Sequence, residues 1–315
     1  MKIRPVIWGL LILLVLSACQ EASPVVTLDP AAKSAQALKV LATESFIADI
    51  AQNIAGKRLE VEALVPIGMD PHSFEPSPQD IAKIADCSIL IENGAGLESW
   101  MQRTLSNAGG AYLLVEASRG LASRTIQPGE GSASGGQAEA VDPHFWLDPF
   151  NVITYAENIR DGLIQVDPAG KEDYIQNAAS YISQLRSLDQ WVTQQVNQVP
   201  SNQRLLVTNH EEFGYFADRY NFKIIGTINQ SFSSESSPSA QQIAQLIDQI
   251  RASQARAIFL ETGANQQLAN QVAKDTGIKV ITGLITHSLT NSDGDAPDYI
   301  AMIKYDTRII VDALR

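Results

Sequence analysis

A chain of 315 residues, 45% of them apolar and 7% aromatic, is long enough for two lobes with their own cores and too apolar for global disorder. Its 35 acidic against 23 basic residues leave a formal charge of −12, which argues against nucleic acid as a partner, because phosphate contacts come mainly from Lys and Arg. Two cysteines exclude a disulfide framework and any thiolate-rich zinc site, and only four histidines remain to account for.

Lys2 and Arg4 form a basic segment ahead of an unbroken apolar stretch from Val6 to Leu16. That stretch is shorter than the roughly 20 residues needed to span a bilayer as a helix. It has the length and flanks of a secretory signal. It ends in Leu16-Ser17-Ala18-Cys19, which resembles a bacterial lipoprotein signal, where cleavage frees the cysteine for acylation. The expectation is a signal peptide over 1–18, lipidation at Cys19 and a flexible tether over 19–37. The protein would then work outside the cytoplasm, held to the membrane by lipid.

From Leu38 onward, short apolar runs alternate with amphipathic segments. Strands are predicted at Val40-Leu41, Leu59 to Val65, Ile89 to Glu92 and Leu113 to Val115. A helix follows Ser77, with Ser77 as N-cap, Pro78 at the first helical position and Asp80 at the third. Cys87, at a helix-to-strand junction, reads as a small buried hydrophobe. Gly129 to Ala140 is low in complexity, reads as a flexible surface loop and holds no histidine.

Apolar residues then fall at Tyr174, Ala178, Tyr181, Leu185, Leu188, Val192 and Val196, in steps of four and three. This stripe predicts one long helix over 167–199, of about 45 Å at 1.5 Å per residue. A dimerising coiled coil is the alternative use of such a stripe. Further strands follow near Leu205 to Thr208, Lys223 to Thr227, Ala257 to Leu260 and Val280-Ile281, with a helix start at Ser237-Pro238. The rhythm predicts an α/β fold: lobes over 38–166 and 200–315 with mostly parallel sheets, joined by the long helix.

The histidines lie more than sixty residues apart, so only the fold can gather them. His72 stands in D-P-H-S-F-E-P-S-P, His144 in D-P-H-F-W-L-D-P, His210 in T-N-H-E-E-F-G-Y and His287 in T-H-S-L. Ligands of open α/β sheets bind beyond the carboxyl ends of strands, where His210 and His287 are expected. Taken singly, each histidine is more often a satisfied polar group in a loop than a metal ligand.

These motifs resemble the metal-binding cluster of ABC-transporter substrate-binding lipoproteins that serve zinc and manganese importers. S-F-S-S-E-S-S-P-S-A at Ser231 to Ala240, I-F-L-E at Ile258 to Glu261 and the tail from Tyr299 to Ala313 extend the resemblance over Leu38 to Arg315. It implies two α/β lobes joined by a rigid helix, with metal in the cleft between them. It also implies a permease and a cytoplasmic ATPase as partners, a monomer, and no enzymatic activity. The family's first three ligands fall on His72, His144 and His210. Its usual fourth, an aspartate, is replaced by His287; the alternatives are a three-histidine site completed by water or by Asp293. A histidine-rich loop found in many zinc members is missing here.

Imidazole nitrogen suits zinc, copper, nickel and iron, whereas manganese prefers oxygen. Zn2+ is therefore the expected cargo, with Mn2+ as the alternative. Glu75, Glu211 and Glu261 are the candidates for orienting the ring N–H groups and offsetting the ion's charge. Because ligating imidazoles must be deprotonated, affinity is expected to fall below about pH 6.5. Two other functions fit parts of the pattern. Three histidines with an open position and Glu211 as general base would make a zinc-dependent hydrolase, and the wider family includes proteins described as surface adhesins.

Overall fold

The computed structural model describes residues 38–124 and 141–315. The expected signal peptide, Cys19 and tether lie outside the described residues, as does the stretch 129–140.

In the first half, β1 (Val40–Ala42), α1 (Ser45–Ala55), β2 (Val61–Ala63), α2 (Pro78–Asp86), β3 (Ile89–Glu92), α3 (Met101–Ala108) and β4 (Leu113–Glu116) follow in order. The strands pair in the order β2-β1-β3-β4, all parallel. After α4 (Asn151–Val166) and α5 (Lys171–Val196), the second half repeats the scheme. It runs β5 (Leu205–Thr208), α6 (Gly214–Tyr220), β6 (Lys223–Thr227), α7 (Ala240–Ser253), β7 (Ala257–Glu261), α8 (Gln266–Thr276), β8 (Lys279–Leu284) and α9 (Tyr299–Leu314). Its sheet order is β6-β5-β7-β8, again parallel.

Strand alternation sorts the core. Val40, Ala42, Ile89 and Ile91 face inward to a core that both halves share, while Leu41 and Leu90 face an outer cluster with Ile84 and Trp100. Leu206, Ala257 and Phe259 join the shared core from the second sheet, and Val207, Ile258 and Leu260 pack under α7 and α8. Parallel strands covered on both faces need continuous apolar runs, which is why these short segments read so plainly.

The stripe on α5 is fully buried at Tyr174, Ala178, Tyr181, Leu185, Leu188, Val192 and Val196. It packs against α1 and α4 on one side and α9 on the other, so it is covered within the chain and is not a coiled-coil seam. The helix is shorter than the expected 167–199. Asp167 ends α4, a 3-10 turn over Pro168–Gly170 intervenes, and α5 starts at Lys171. Asp167 anchors this junction by accepting from Arg58 and from the Tyr174 hydroxyl. Twenty-six residues at 1.5 Å give α5 a length of about 39 Å.

The capping box at Ser77 and Asp80 is present, with Pro78 opening α2. The helix start placed at Ser237-Pro238 is corrected to Ser239: its hydroxyl accepts from Gln242 N–H while the Gln242 side chain accepts from Ser239 N–H. Two reciprocal bonds satisfy two end donors, and Ser237 has no such partner three residues on.

Trp146 ties the halves together. It is fully buried, stacks on Phe46 at 4.7 Å, and donates from Nε1 to Thr286 O at 2.7 Å. Tyr299 Oη donates to Trp146 O at 2.7 Å, and Leu289 N–H donates to Ser45 Oγ at 2.8 Å.

Candidate metal centre

Local chain chemistry sets each histidine. The two D-P-H segments fold alike: Asp70 Oδ1 accepts from His72 N–H at 2.9 Å, and Asp142 Oδ1 accepts from His144 N–H at 3.0 Å. A side chain bonding the backbone two residues on is an Asx turn, and the intervening proline fixes its φ. His210 follows β5, where the Thr208 hydroxyl donates to its carbonyl at 2.8 Å. His287 follows β8, one residue past the carbonyl that receives Trp146.

All four side chains converge. His144 and His210 are fully buried, and His72 and His287 are each 7% exposed. The six distances between ring centroids run from 5.1 to 5.7 Å. A regular tetrahedron with an edge of about 5.4 Å puts each centroid about 3.3 Å from its centre; inward-facing nitrogens would lie about 2.2 Å from it, near the ~2.0–2.1 Å of a zinc–imidazole bond.

Polar contacts show which nitrogens face inward. His144 Nδ1 lies 2.9 Å from Asp142 Oδ1, His287 Nδ1 lies 2.8 Å from Thr286 Oγ1, and His210 Nδ1 lies 3.3 Å from Glu261 Oε1. The Nε2 atoms of His144 and His210 stand 3.4 Å apart, and those of His72 and His287 are buried without a protein partner. The Asp142 carboxylate can only accept, so it selects for His144 the tautomer that leaves the Nε2 lone pair for an ion, and the Thr286 hydroxyl can accept from His287 in the same way.

Burial, then the nearness of His210, lowers His72 to about 4, against the opposing pull of Asp70 and Glu261. Burial followed by the other three imidazoles drives His144 well below its ordinary value. Burial, then His210 and His72, does the same to His287. These rings are therefore neutral near pH 7, the form that ligates.

Of the three carboxylates expected near the rings, Glu261 is there: it lies beside His210 and accepts from Asn209 Nδ2 at 2.7 Å. Burial pushes its carboxyl up, but the adjoining His210, together with Asn209, outweighs that and holds it low. Glu75 is exposed and belongs to neither cluster of ligating groups among the described residues. Glu211 is only half-buried, and the fully buried neighbour Glu212 stands in its place, 3.8 Å from His287 Nδ1. Asp293 is exposed and likewise outside both clusters. Sequence reasoning missed Asp142, Thr286 and Glu212; the repeated D-P-H was the signal that pointed to Asp142. Cys87 is buried, its thiol pushed up to about 11 by burial, which leaves it unreactive.

The family profile described as the periplasmic component A of the zinc-uptake complex matches residues 40–313. The chain belongs to this family. Among curated relatives of the component A family, the "Manganese-binding lipoprotein MntA" of Halalkalibacterium halodurans is 33% identical over 279 residues, covering 89% of each chain. The "Iron-binding protein YfeA" of Yersinia pestis is 33% identical over 270 residues, covering 86% of this chain and 84% of its own. A manganese-bound periplasmic metal-binding protein from Candidatus Liberibacter asiaticus superposes with a TM-score of 0.78 at 28% identity, over 88% of this chain and all of that one. The periplasmic zinc-binding protein TroA of Treponema pallidum gives 0.78 at 25% identity, over 89% and 99%. This component A chain is thus an extracytoplasmic substrate-binding component of a metal ABC transporter and not an enzyme. Such a component works with a permease and an ATPase.

Proposed function

We propose that His72, His144, His210 and His287 hold the transported ion through their four Nε2 atoms, and that the ion is zinc. The observation that carries this reading is the near-regular tetrahedron of the four rings, with Asp142, Glu261 and Thr286 on the outward nitrogens. Four imidazole nitrogens make the closed tetrahedral shell that zinc accepts, whereas manganese favours oxygen donors and more of them. A neutral shell leaves the full charge of the ion in place, and Asp142 and Glu261 offset it from behind the rings. His72 and His144 come from the first half and His210 and His287 from the second, so an ion bound by all four holds the halves together. Binding then favours the closed form, and docking on the permease favours the open one.

Delivery would run from a lipid anchor at Cys19, with the protein acting as a monomer. The manganese reading is favoured by the names of the relatives and by nothing in the donor set. A competition titration of metal-stripped protein with zinc against a large manganese excess, read by elemental analysis, separates the two. Retained zinc supports the proposal; retained manganese overturns it.

A further inference from the structure

A second group of buried ligating atoms gathers on the outer side of His210. His210, Glu212 and Glu261 each bring one such atom within 4.8 Å of the other two. Glu212 is wholly buried and, beyond the neighbouring Thr286 side chain, neither of its carboxylate oxygens finds a hydrogen-bond partner. Glu261 Oε2 and His210 Nδ1 are likewise buried and unpartnered, with Nδ1 3.3 Å from Glu261 Oε1 but not aligned for a hydrogen bond. A buried carboxylate short of donors gives up its hydration and receives little for it. Two such carboxylates side by side also repel. A divalent cation bound between them answers both costs at once.

The surroundings give that cation a route. Glu261 lines the wall of a cavity of ≈ 1110 Å³ together with Asn209, Thr286 and His287, with the loop from Pro66 to Asp70 on its far side. Glu261 thus opens the second group to the same cavity that His287 of the four-imidazole centre lines, and His210 belongs to both groups.

We propose that His210, Glu212 and Glu261 form a second, transient site for the transported divalent metal, filled from the cleft and emptied into the four-imidazole centre. This rests on the reading of the four histidines as the principal site. A neutral imidazole has one lone pair, so His210 serves one site at a time. On the outer site Nδ1 ligates and the proton is on Nε2. On transfer the Nδ1–metal bond breaks and Nε2 releases its proton to water as it takes the ion. Nδ1 gains a proton from water and donates it toward Glu261 Oε1, so the proton count is unchanged. The outer group offers three donors against four at the centre, which sets the direction of loading.

The test uses zinc ion alone as probe. The double variant His72→Ala, His144→Ala is expected to keep one zinc, at least a hundredfold weaker than the wild type, and the further change Glu212→Gln is expected to weaken it at least tenfold again. In otherwise unaltered protein, stopped-flow loading is expected to show a concentration-dependent phase followed by a concentration-independent one, and Glu212→Gln or Glu261→Gln to remove the first. No zinc on the double variant, two zinc ions held at once by the wild type, or unchanged biphasic loading in both glutamine variants would each overturn the proposal. Wild-type affinity in the double variant would instead overturn the four-histidine reading.

Discussion

His144 Nε2 and His210 Nε2 face each other at 3.4 Å, although they come from opposite halves of the molecule. Two nitrogens on one tetrahedral zinc ion, each at ~2.0–2.1 Å, stand about 3.3–3.4 Å apart. The protein has set that spacing through its own backbone: Asp142 pins one ring and Glu261 faces the other.

His287 occupies the position where the family resemblance places aspartate, and the four-histidine proposal makes it the residue that would set metal preference. His287→Ala should weaken zinc by a hundredfold or more, since it opens a closed shell. His287→Asp should keep binding but move the ratio of zinc to manganese affinity at least tenfold toward manganese, because a carboxylate replaces a nitrogen donor. Competition titration of both variants reads this directly, and an unchanged ratio in the aspartate variant would remove His287 from the shell.

Asp142 holds both the backbone and the ring of His144. Asp142→Asn keeps the shape but supplies a neutral amide in place of the carboxylate. Loss of such an outer partner costs about 10–100-fold in metal affinity. The variant should fold with an unchanged circular dichroism spectrum and bind zinc that much more weakly.

Burial changes the pH window expected from unperturbed histidines. With His72 lowered to about 4 and His144 and His287 held well below their ordinary value by burial, proton competition at these three rings begins well below pH 6.5 in this closed form. Zinc affinity should therefore fall less steeply below pH 6.5 than four unperturbed imidazoles would make it. A decline as steep as theirs would mean that the metal-free cleft opens and returns the rings to water.

The same shift carries a sign for stability. The folded pKa of His72 lies below the unfolded value, so between about pH 6.5 and 4 the unfolded chain binds more protons. Metal-free protein should hold its full His72 contribution above pH 6.5 and lose it as pH falls through that window. Urea unfolding at several pH values should show a larger loss for the wild type than for His72→Gln; equal losses would contradict the shift.

Trp146 joins Phe46, Thr286 and Tyr299 across the two halves. Trp146→Ala should cost about 3–5 kcal/mol by urea unfolding, as large aromatic deletions in cores do. Trp146→Phe should recover most of the packing but leave Thr286 O without its donor, at about 1–3 kcal/mol, and should loosen zinc through the adjoining His287.

Much of this was open to reading from residues alone. The first-half strand at Ile89 to Glu92 and the second-half strands at Leu205 to Thr208 and Lys223 to Thr227 fall where the apolar runs place them. The stripe from Tyr174 to Val196 names the buried face of α5 residue by residue. These features depend on period and local chemistry, which a linear chain displays. The ends of helices were less legible: Ser237 and Ser239 both precede a helical pattern, and only the reciprocal bond with Gln242 selects the second.

What the amino-acid order determined by itself was the α/β rhythm, the long central helix and the four histidines in their motifs. What the tertiary structure decided was the site. Residues 72, 144, 210 and 287 share no period, and their meeting depends on two parallel sheets presenting their carboxyl-end loops to one another. Glu211 and Glu212 are adjacent and chemically identical, and the turn after β5 alone chooses which one is buried. Periodicity tells which side of a helix or strand is apolar; in a loop it says nothing, and there the direction of each side chain is set by contacts from distant parts of the chain.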